Sequence, residues 1–398
     1  MKVGDIEKIG VAGAGTMGSG IAQVFASKGY EVVVTDIAEE QLRRSAKLVD
    51  IFNSSLIEEG IMLPEEAQKV KGLISYSTDK RDFSDADLII EAIVENMNIK
   101  QDFWHETEAI AKEDAFFATN TSGLSINGIC EKVENKERFI GMHFWNPSHI
   151  IPLVELTKAD ETSDETVEEL KKLMATIEKE AVVVQKDAPG FIGNRLQFAV
   201  FREALYIVDE GIATFEDVDK AMKYGPGFRY PVIGPLQTAD LGGLDTFYYI
   251  SDYLFEELSD MKKPPAMLQS MMDAGRLGVK SKKGFWDYLG DKQAMQHQWA
   301  GLRLSGWLGV PLIWILFSSR TVLKTIAEYG PRILLLRQLL NCLSRRDPRS
   351  NSGTCPSCGH DLHWCYHQAC GFVASHGSCL PSWCGPVWHM PDTHTRET

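Results

Sequence analysis

Cysteine is almost missing from the first 291 of the 398 residues: Cys130 stands alone there, and the other seven all lie at position 342 or beyond. A long stretch with one thiol has no disulfide framework and reads as an enzyme of a reducing cytoplasm. Positive charge is also scarce. The formal net charge of −14 excludes a general nucleic-acid binder, because a polyanion would meet a repulsive field. The opening MKVGDIEKIG puts two acids and two lysines where a secretory leader needs an apolar core. No apolar run reaches the ~20 residues of a membrane helix. The segment 304–319 has 16 residues, contains Pro311 and is bounded by Arg303 and Arg320. No membrane partner is expected.

What is present is an ordinary globular balance, 44% hydrophobic and 24% charged, in a chain long enough for two or three domains. The balance is not uniform. Residues 1–291 carry 50 Asp plus Glu against 31 Lys plus Arg, a net of −19, whereas residues 292–398 carry 5 against 10, a net of +5. Six of the nine tryptophans and seven of the ten histidines join the seven cysteines after position 291, and Lys292 and Lys324 are the only lysines there. The first piece reads as an enzyme, the second as something else.

A short apolar run at 6–12 leads into Gly13-Ala14-Gly15-Thr16-Met17-Gly18, and 19–28 has helical spacing. Strand, glycine turn and helix in that order suit a dinucleotide. Gly13 permits the turn, Gly15 lets the backbone approach a pyrophosphate, and Gly18 lets helix and sheet pack. A second strand at 31–35 ends at Asp36, whose carboxylate accepts ribose hydroxyls and repels a 2′-phosphate, favouring NAD over NADP. A bare glycine turn is the alternative. Helices at 39–60, 64–71 and 98–112 alternate with strands at 73–76, 88–91 and 115–119, the pattern of a doubly wound parallel sheet. Glu95 and Asn96 follow the 88–91 strand, and Asn120, Thr121 and Ser122 the next. They stand at the ligand-binding crest or serve as turn formers.

A strand at 139–142 delivers His143, and Glu155 interrupts the apolar run 150–156. A buried acid needs a partner, and His143, at another strand end across a short loop, can be it. A carboxylate on one ring nitrogen leaves the other as a base near neutral pH. A satisfied core histidine or a structural salt bridge would give the same pattern. After a strand at 182–184 and the breaker Lys186-Asp-Ala-Pro-Gly190, helices are expected at 191–210, 214–224, 240–258 and 264–273. Asn194 opens the first, as a cleft residue or as a helix-start residue. The fold class is therefore α/β: a Rossmann-type doubly wound domain, 1–187, followed by an all-helical substrate and dimerisation domain, 188–291.

With these residues in view, the segment 1–291 resembles the L-3-hydroxyacyl-CoA dehydrogenases, in particular the short bacterial 3-hydroxybutyryl-CoA type. The resemblance is carried by GAGTMGSGIAQVFA (13–26), EAIVEN (91–96), TNTSGLSI (119–126), GMHFWNP (141–147), PLVEL (152–156), PGFIGNRL (189–196), GPLQTADLGGLD (234–245) and GRLGVKSKKGFWDY (275–288). It implies reversible NAD-dependent oxidation of the 3-hydroxyl of a (3S)-3-hydroxyacyl-CoA by a homodimer joined through the helical domain. It implies His143 as catalytic base, Glu155 as its orienting partner, and Ser122 and Asn194 holding the reacting oxygen. Glu95, Lys100, Asn120 and Asn146 match positions around the cofactor, and no metal is implied.

One stretch departs from that pattern. Where the family places a lysine-rich patch toward CoA phosphates, this chain has Ser55-Leu-Ile-Glu58-Glu59-Gly60-Ile-Met-Leu63, and carboxylates repel phosphate. A dehydrogenase of a free 3-hydroxy acid, of gulonate or carnitine type, is the alternative substrate reading. A catalytically silent NAD-binding protein is a lesser one, with no lost catalytic residue to support it. The segment 292–398 resembles nothing in the family. Its Cys355-Pro-Ser-Cys358, Cys365, Cys370, Cys379 and Cys384, with His360, His363 and His367, have zinc-ribbon character. Loss of lysine and acid with a joint rise of Trp, Cys and His points instead to a non-native, poorly folded extension.

Overall fold

Apolar residues alternating between two faces build the sheet. In β4 (Leu88–Glu91) and β5 (Phe116–Thr119), Leu88, Ile90, Phe116 and Ala118 join one core cluster, while Ile89 and Phe117 join the other. Period-two alternation between two apolar layers is what a strand covered by helices on both faces requires. The computed structural model describes residues 1–288. Its sheet adds β1 (Lys8–Ala12), β2 (Glu31–Thr35), β3 (Ile74–Ser77), β6 (Phe139–Phe144), β7 (Leu153–Lys158) and β8 (Glu180–Val184), giving eight strands in the order β3-β2-β1-β4-β5-β6-β7-β8. The order turns back at β1, beside β4, and the glycine turn lies at that switch point.

The sheet is not wholly parallel, as the sequence pattern suggests. β6 and β7 pair antiparallel, and β8 then pairs parallel to β7. The connection 145–152 is too short for the crossover of a dozen or more residues that a parallel return needs. This reversal sets His143 directly opposite Glu155 in the strand register.

Helices α1 (Thr16–Ser27), α2 (Glu39–Glu58), α3 (Pro64–Leu73), α4 (Met97–Glu108) and α5 (Ile126–Ile129) flank the sheet. α6 (Asp164–Thr176) links β7 to β8 in a stretch that the sequence reading leaves unassigned. Its signals are local: Ser163 caps the Thr166 N–H, acids occupy the first turn, and Val167, Leu170, Leu173 and Met174 form one buried stripe.

The helical part comprises α7 (Gly193–Asp209), α8 (Phe215–Tyr224), α9 (Pro226–Arg229), α10 (Pro235–Gly242), α11 (Leu244–Leu254) and α12 (Ala266–Asp273). The single helix expected at 240–258 is two, because Gly243 has φ +92°, a left-handed conformation that interrupts helical bonding. Pro235 opens α10 at its first position. Leu205 is the only fully buried side chain of α7, and α8 to α12 have none. Phe198, Phe228, Leu236, Leu241 and Tyr248 are exposed.

Among the described residues no helix is long and apolar enough to cross a membrane. The apolar segment at 304–319, the amphipathic helix that the spacing predicts at 333–343, the cysteine set from Cys355 to Cys384 and the reading of 292–398 as an extension lie outside the described residues.

Candidate active site

The glycine turn is shaped by three different constraints. Gly13 has φ +99°, and a Cβ there would stand 2.5 Å from the Ala92 carbonyl oxygen. A Cβ on Gly18 would meet the Gly13 carbonyl oxygen at 1.8 Å. Gly15, the N-cap of α1, has open space where its Cβ would be, and Thr16 beside it is exposed. A helix amino end behind an unobstructed backbone is where a diphosphate can approach N–H groups. Asp36 lies just past β2 and accepts one N–H on each oxygen, from Ala14 at 2.9 Å and Ala38 at 3.2 Å, which leaves lone pairs on both oxygens for hydroxyl donors. Ile37 follows with 99% of its surface exposed, an apolar face beside Asp36 that sequence reasoning passes over. These features fit a dinucleotide.

The crests of β5 and β6 bring the chemical residues together. His143 Nδ1 lies 2.8 Å from Glu155 Oε2, to which Trp145 Nε1 also donates at 3.0 Å. The other oxygen, Oε1, accepts the backbone N–H groups of Ile192 and Gly193, both at 2.9 Å. Glu155 is fully buried. Burial pushes its carboxyl up, but the hydrogen bonds from His143, Gly193, Trp145 and Ile192 outweigh it and hold the group at about 2. Since the carboxylate only accepts, Nδ1 carries a proton, and in the neutral ring the lone pair is then on Nε2.

Asn194, in the first turn of α7, donates from Nδ2 to the Ser122 carbonyl at 3.2 Å. The Ser122 N–H in turn meets Glu95 Oε1 at 3.3 Å. Asn120 Oδ1 accepts the Phe144 N–H at 2.8 Å and so ties the end of β5 to the strand carrying His143. Asn96 caps α4 through the Ile99 N–H, a structural duty. Asn146 is exposed in the loop after β6, and Met17 is half-buried in the first turn of α1. Lys100 does not stand on the open crest. It is 1% exposed, with its ammonium 2.5 Å from Glu91 Oε1 and 3.2 Å from Glu95 Oε2.

The sequence reading misses the other donors to Glu155. Trp145 sits in the same HFWNP segment as His143, and that proximity is its only signal. Ile192 and Gly193 act through backbone N–H groups, which have no sequence signature. A Cβ on Gly193 would lie 2.4 Å from Trp145 Cζ2, so glycine is what lets the helix start reach Glu155. Phe191, buried at φ +49°, sets its ring 5.8 Å from that of His143.

Comparison with known proteins agrees in extent with this arrangement. Residues 8–188 match the NAD binding domain of 3-hydroxyacyl-CoA dehydrogenase, and residues 190–288 its C-terminal domain. The chain is 38% identical over 288 residues to a 3-hydroxybutyryl-CoA dehydrogenase of Bradyrhizobium diazoefficiens, covering 72% of this chain and 97% of that one. It is 40% identical over 282 residues to a probable 3-hydroxybutyryl-CoA dehydrogenase of Deinococcus radiodurans, covering 71% of this chain and all of that one. A solved 5-formyl-3-hydroxy-2-methylpyridine 4-carboxylic acid 5-dehydrogenase, described as an NAD+-dependent dismutase, superimposes with a TM-score of 0.69 at 33% identity, covering 75% of this chain and 97% of that one.

Proposed function

The chain belongs to the 3-hydroxyacyl-CoA dehydrogenase family of NAD-dependent oxidoreductases, and from that premise we propose that it reversibly oxidises the 3-hydroxyl of a (3S)-3-hydroxybutyryl-CoA-type thioester, with His143 as the general base. The observation that carries this reading is the 2.8 Å bond from His143 to a carboxylate held ionised by four donors. Bound NAD supplies the hydride acceptor at the carbinol carbon. Gly13, Gly15, Thr16, Met17 and Gly18 would hold its diphosphate, Asp36 and Ile37 its adenosine end, and Glu95, Asn120 and Asn146 its nicotinamide end, with the buried Lys100 acting from behind Glu95.

The proton follows a defined route. His143 Nε2 takes the hydroxyl proton, and the imidazolium that forms is stabilised by Glu155 across the Nδ1 bond. In the reducing direction the same nitrogen returns the proton to the forming alkoxide. Asn194 has a second amide N–H beyond the one given to Ser122, and together with the Ser122 hydroxyl it holds the reacting oxygen. Residues 1–187 form the NAD-binding domain and 188–291 the helical substrate and dimerisation domain, in a cytoplasmic homodimer. The exposed apolar faces of α7 to α11 support the dimer.

A second substrate class has its own support. Glu58 ends α2 and Glu59 caps it, where phosphate contacts would be wanted, and the pyridine carboxylate dehydrogenase bears no CoA in its name. Assays of NAD reduction with 3-hydroxybutyryl-CoA and with a free acid such as gulonate separate the two. We expect the thioester to lead by at least about tenfold in kcat/KM, because its remote portions contribute binding energy. Preference for the free acid would overturn the CoA reading and leave His143 and Glu155 in place.

A further inference from the structure

The end of β4 holds a set of charges that proton transfer does not use. Glu91 is fully buried, as is Lys100 of α4. Glu91 Oε1 accepts the Lys100 ammonium at 2.5 Å and the Ile93 N–H at 2.9 Å, while Oε2 accepts the Thr119 hydroxyl at 2.8 Å. Glu91 is thereby fixed by the crests of both β4 and β5. Lys100 spends its remaining reach on Glu95 Oε2 at 3.2 Å. Glu95 is different: its side chain is 45% exposed, and its other oxygen accepts the Thr121 hydroxyl and the Ser122 N–H. The series runs from a buried carboxylate, through a buried ammonium, to the backbone of the serine whose carbonyl accepts Asn194.

Stability alone does not call for such a set. A buried ion pair is often matched or bettered by apolar side chains of similar volume, and this pocket adds a second acid, half in solvent. What the second acid gains is a fixed orientation toward the Ser122 loop. An exposed glutamate on a crest samples many rotamers, and the ammonium behind it removes that freedom.

We propose that Glu91 is a positioning residue for the dehydrogenation: it anchors Lys100, which orients Glu95, which holds the Ser122 backbone where its hydroxyl meets the reacting oxygen. This rests on the role given to Ser122 above. Small displacements of a positioned group cost rate rather than affinity.

The test uses the full chain with saturating NAD and 3-hydroxybutyryl-CoA, in four forms: unaltered, Glu91→Gln, Ser122→Ala and the double variant. Glu91→Gln is expected to lower kcat by about 10- to 100-fold, with KM for the thioester within about twofold, and to have no further effect once Ser122 is alanine. Equal losses of kcat in both backgrounds, or a lowered melting temperature with kcat intact, would overturn the inference while leaving the Ser122 reading standing. Unchanged turnover in Ser122→Ala would remove the serine's role and this inference with it. Should Glu91→Gln not fold, Thr119→Val withdraws the hydroxyl that orients Glu91 and that also accepts the Thr121 N–H at 3.4 Å. It is expected to show a smaller loss with the same dependence on Ser122, and a loss that persists without the Ser122 hydroxyl would overturn the inference.

Discussion

His143 and Glu155 act as one unit, and the two side chains fail differently when changed. On the proposed mechanism His143→Ala removes the base, an expected loss of about 10²–10⁴-fold in kcat, while NAD affinity measured by fluorescence quenching stays within about twofold. Turnover within a few-fold of the parent would make the histidine structural. Glu155→Gln costs less and acts mainly on kcat, because the amide puts N–H groups against the Trp145 indole N–H and disturbs the orientation of the imidazole. The carboxyl also predicts an acid dependence of stability. Its folded value, about 2, lies below its ordinary 4.5, so its contribution, roughly 3 kcal/mol by linkage, is complete above pH 4.5. That contribution is lost as pH falls toward 2. The melting temperature of the parent, minus that of Glu155→Gln, should therefore shrink between pH 6 and pH 3, and a constant difference would show that Glu155 is not held ionised. The residue types of this pair were legible in the sequence, since an acid inside Pro-Leu-Val-Glu-Leu demands a partner. Their direct opposition was not, because it depends on which way β7 runs.

At the scale of elements, what could be read was what has a local cause. β2 and β4 begin and end where alternation and turn residues place them, and Gly13 takes the turn and Gly18 the close packing their spacing suggests. The direction of β7 follows from the length of the 145–152 connection, a local quantity whose consequence is tertiary. The start of α7 is the least legible element and among the most consequential. N–H groups at its start donate to Glu155, its Asn194 reaches Ser122, and its Gly193 clears Trp145, all through contacts distant in sequence. Gly193→Ala tests the element directly. Alanine improves helix propensity by up to ~1 kcal/mol, but its Cβ would overlap an indole that is itself hydrogen-bonded to Glu155. Overpacking of this kind costs about 1–3 kcal/mol, so the steric effect prevails. The expected result is a lower kcat with KM for NAD unchanged, since the glycine turn is untouched. An alanine variant with full kcat would mean that the helix start tolerates displacement and does not hold the catalytic pair.

For the whole molecule, the two halves of the enzyme differ in how far they complete themselves. The sheet domain encloses two apolar layers, whereas α8 to α12 leave every side chain at least partly open and present aromatic and leucine side chains to solvent. Apolar surface of that extent marks an interface, and in the proposed dimer a second copy of the same helices, meeting about a two-fold axis, would cover both faces at once. Every residue given a role in the reaction precedes position 200, and the family match ends at residue 288. A chain stopped at Gly290 should therefore be dimeric by analytical ultracentrifugation at micromolar concentration. It should turn over 3-hydroxybutyryl-CoA within about twofold of the full chain, because the chemistry needs nothing beyond α12. A monomer retaining activity would remove the dimer from the proposal without touching the site. Loss of activity on truncation would show that 292–398 belongs to the working enzyme. The cysteines from Cys355 to Cys384 would then have to be weighed as a structural zinc site, for which the metal content of the purified full chain is the direct measurement.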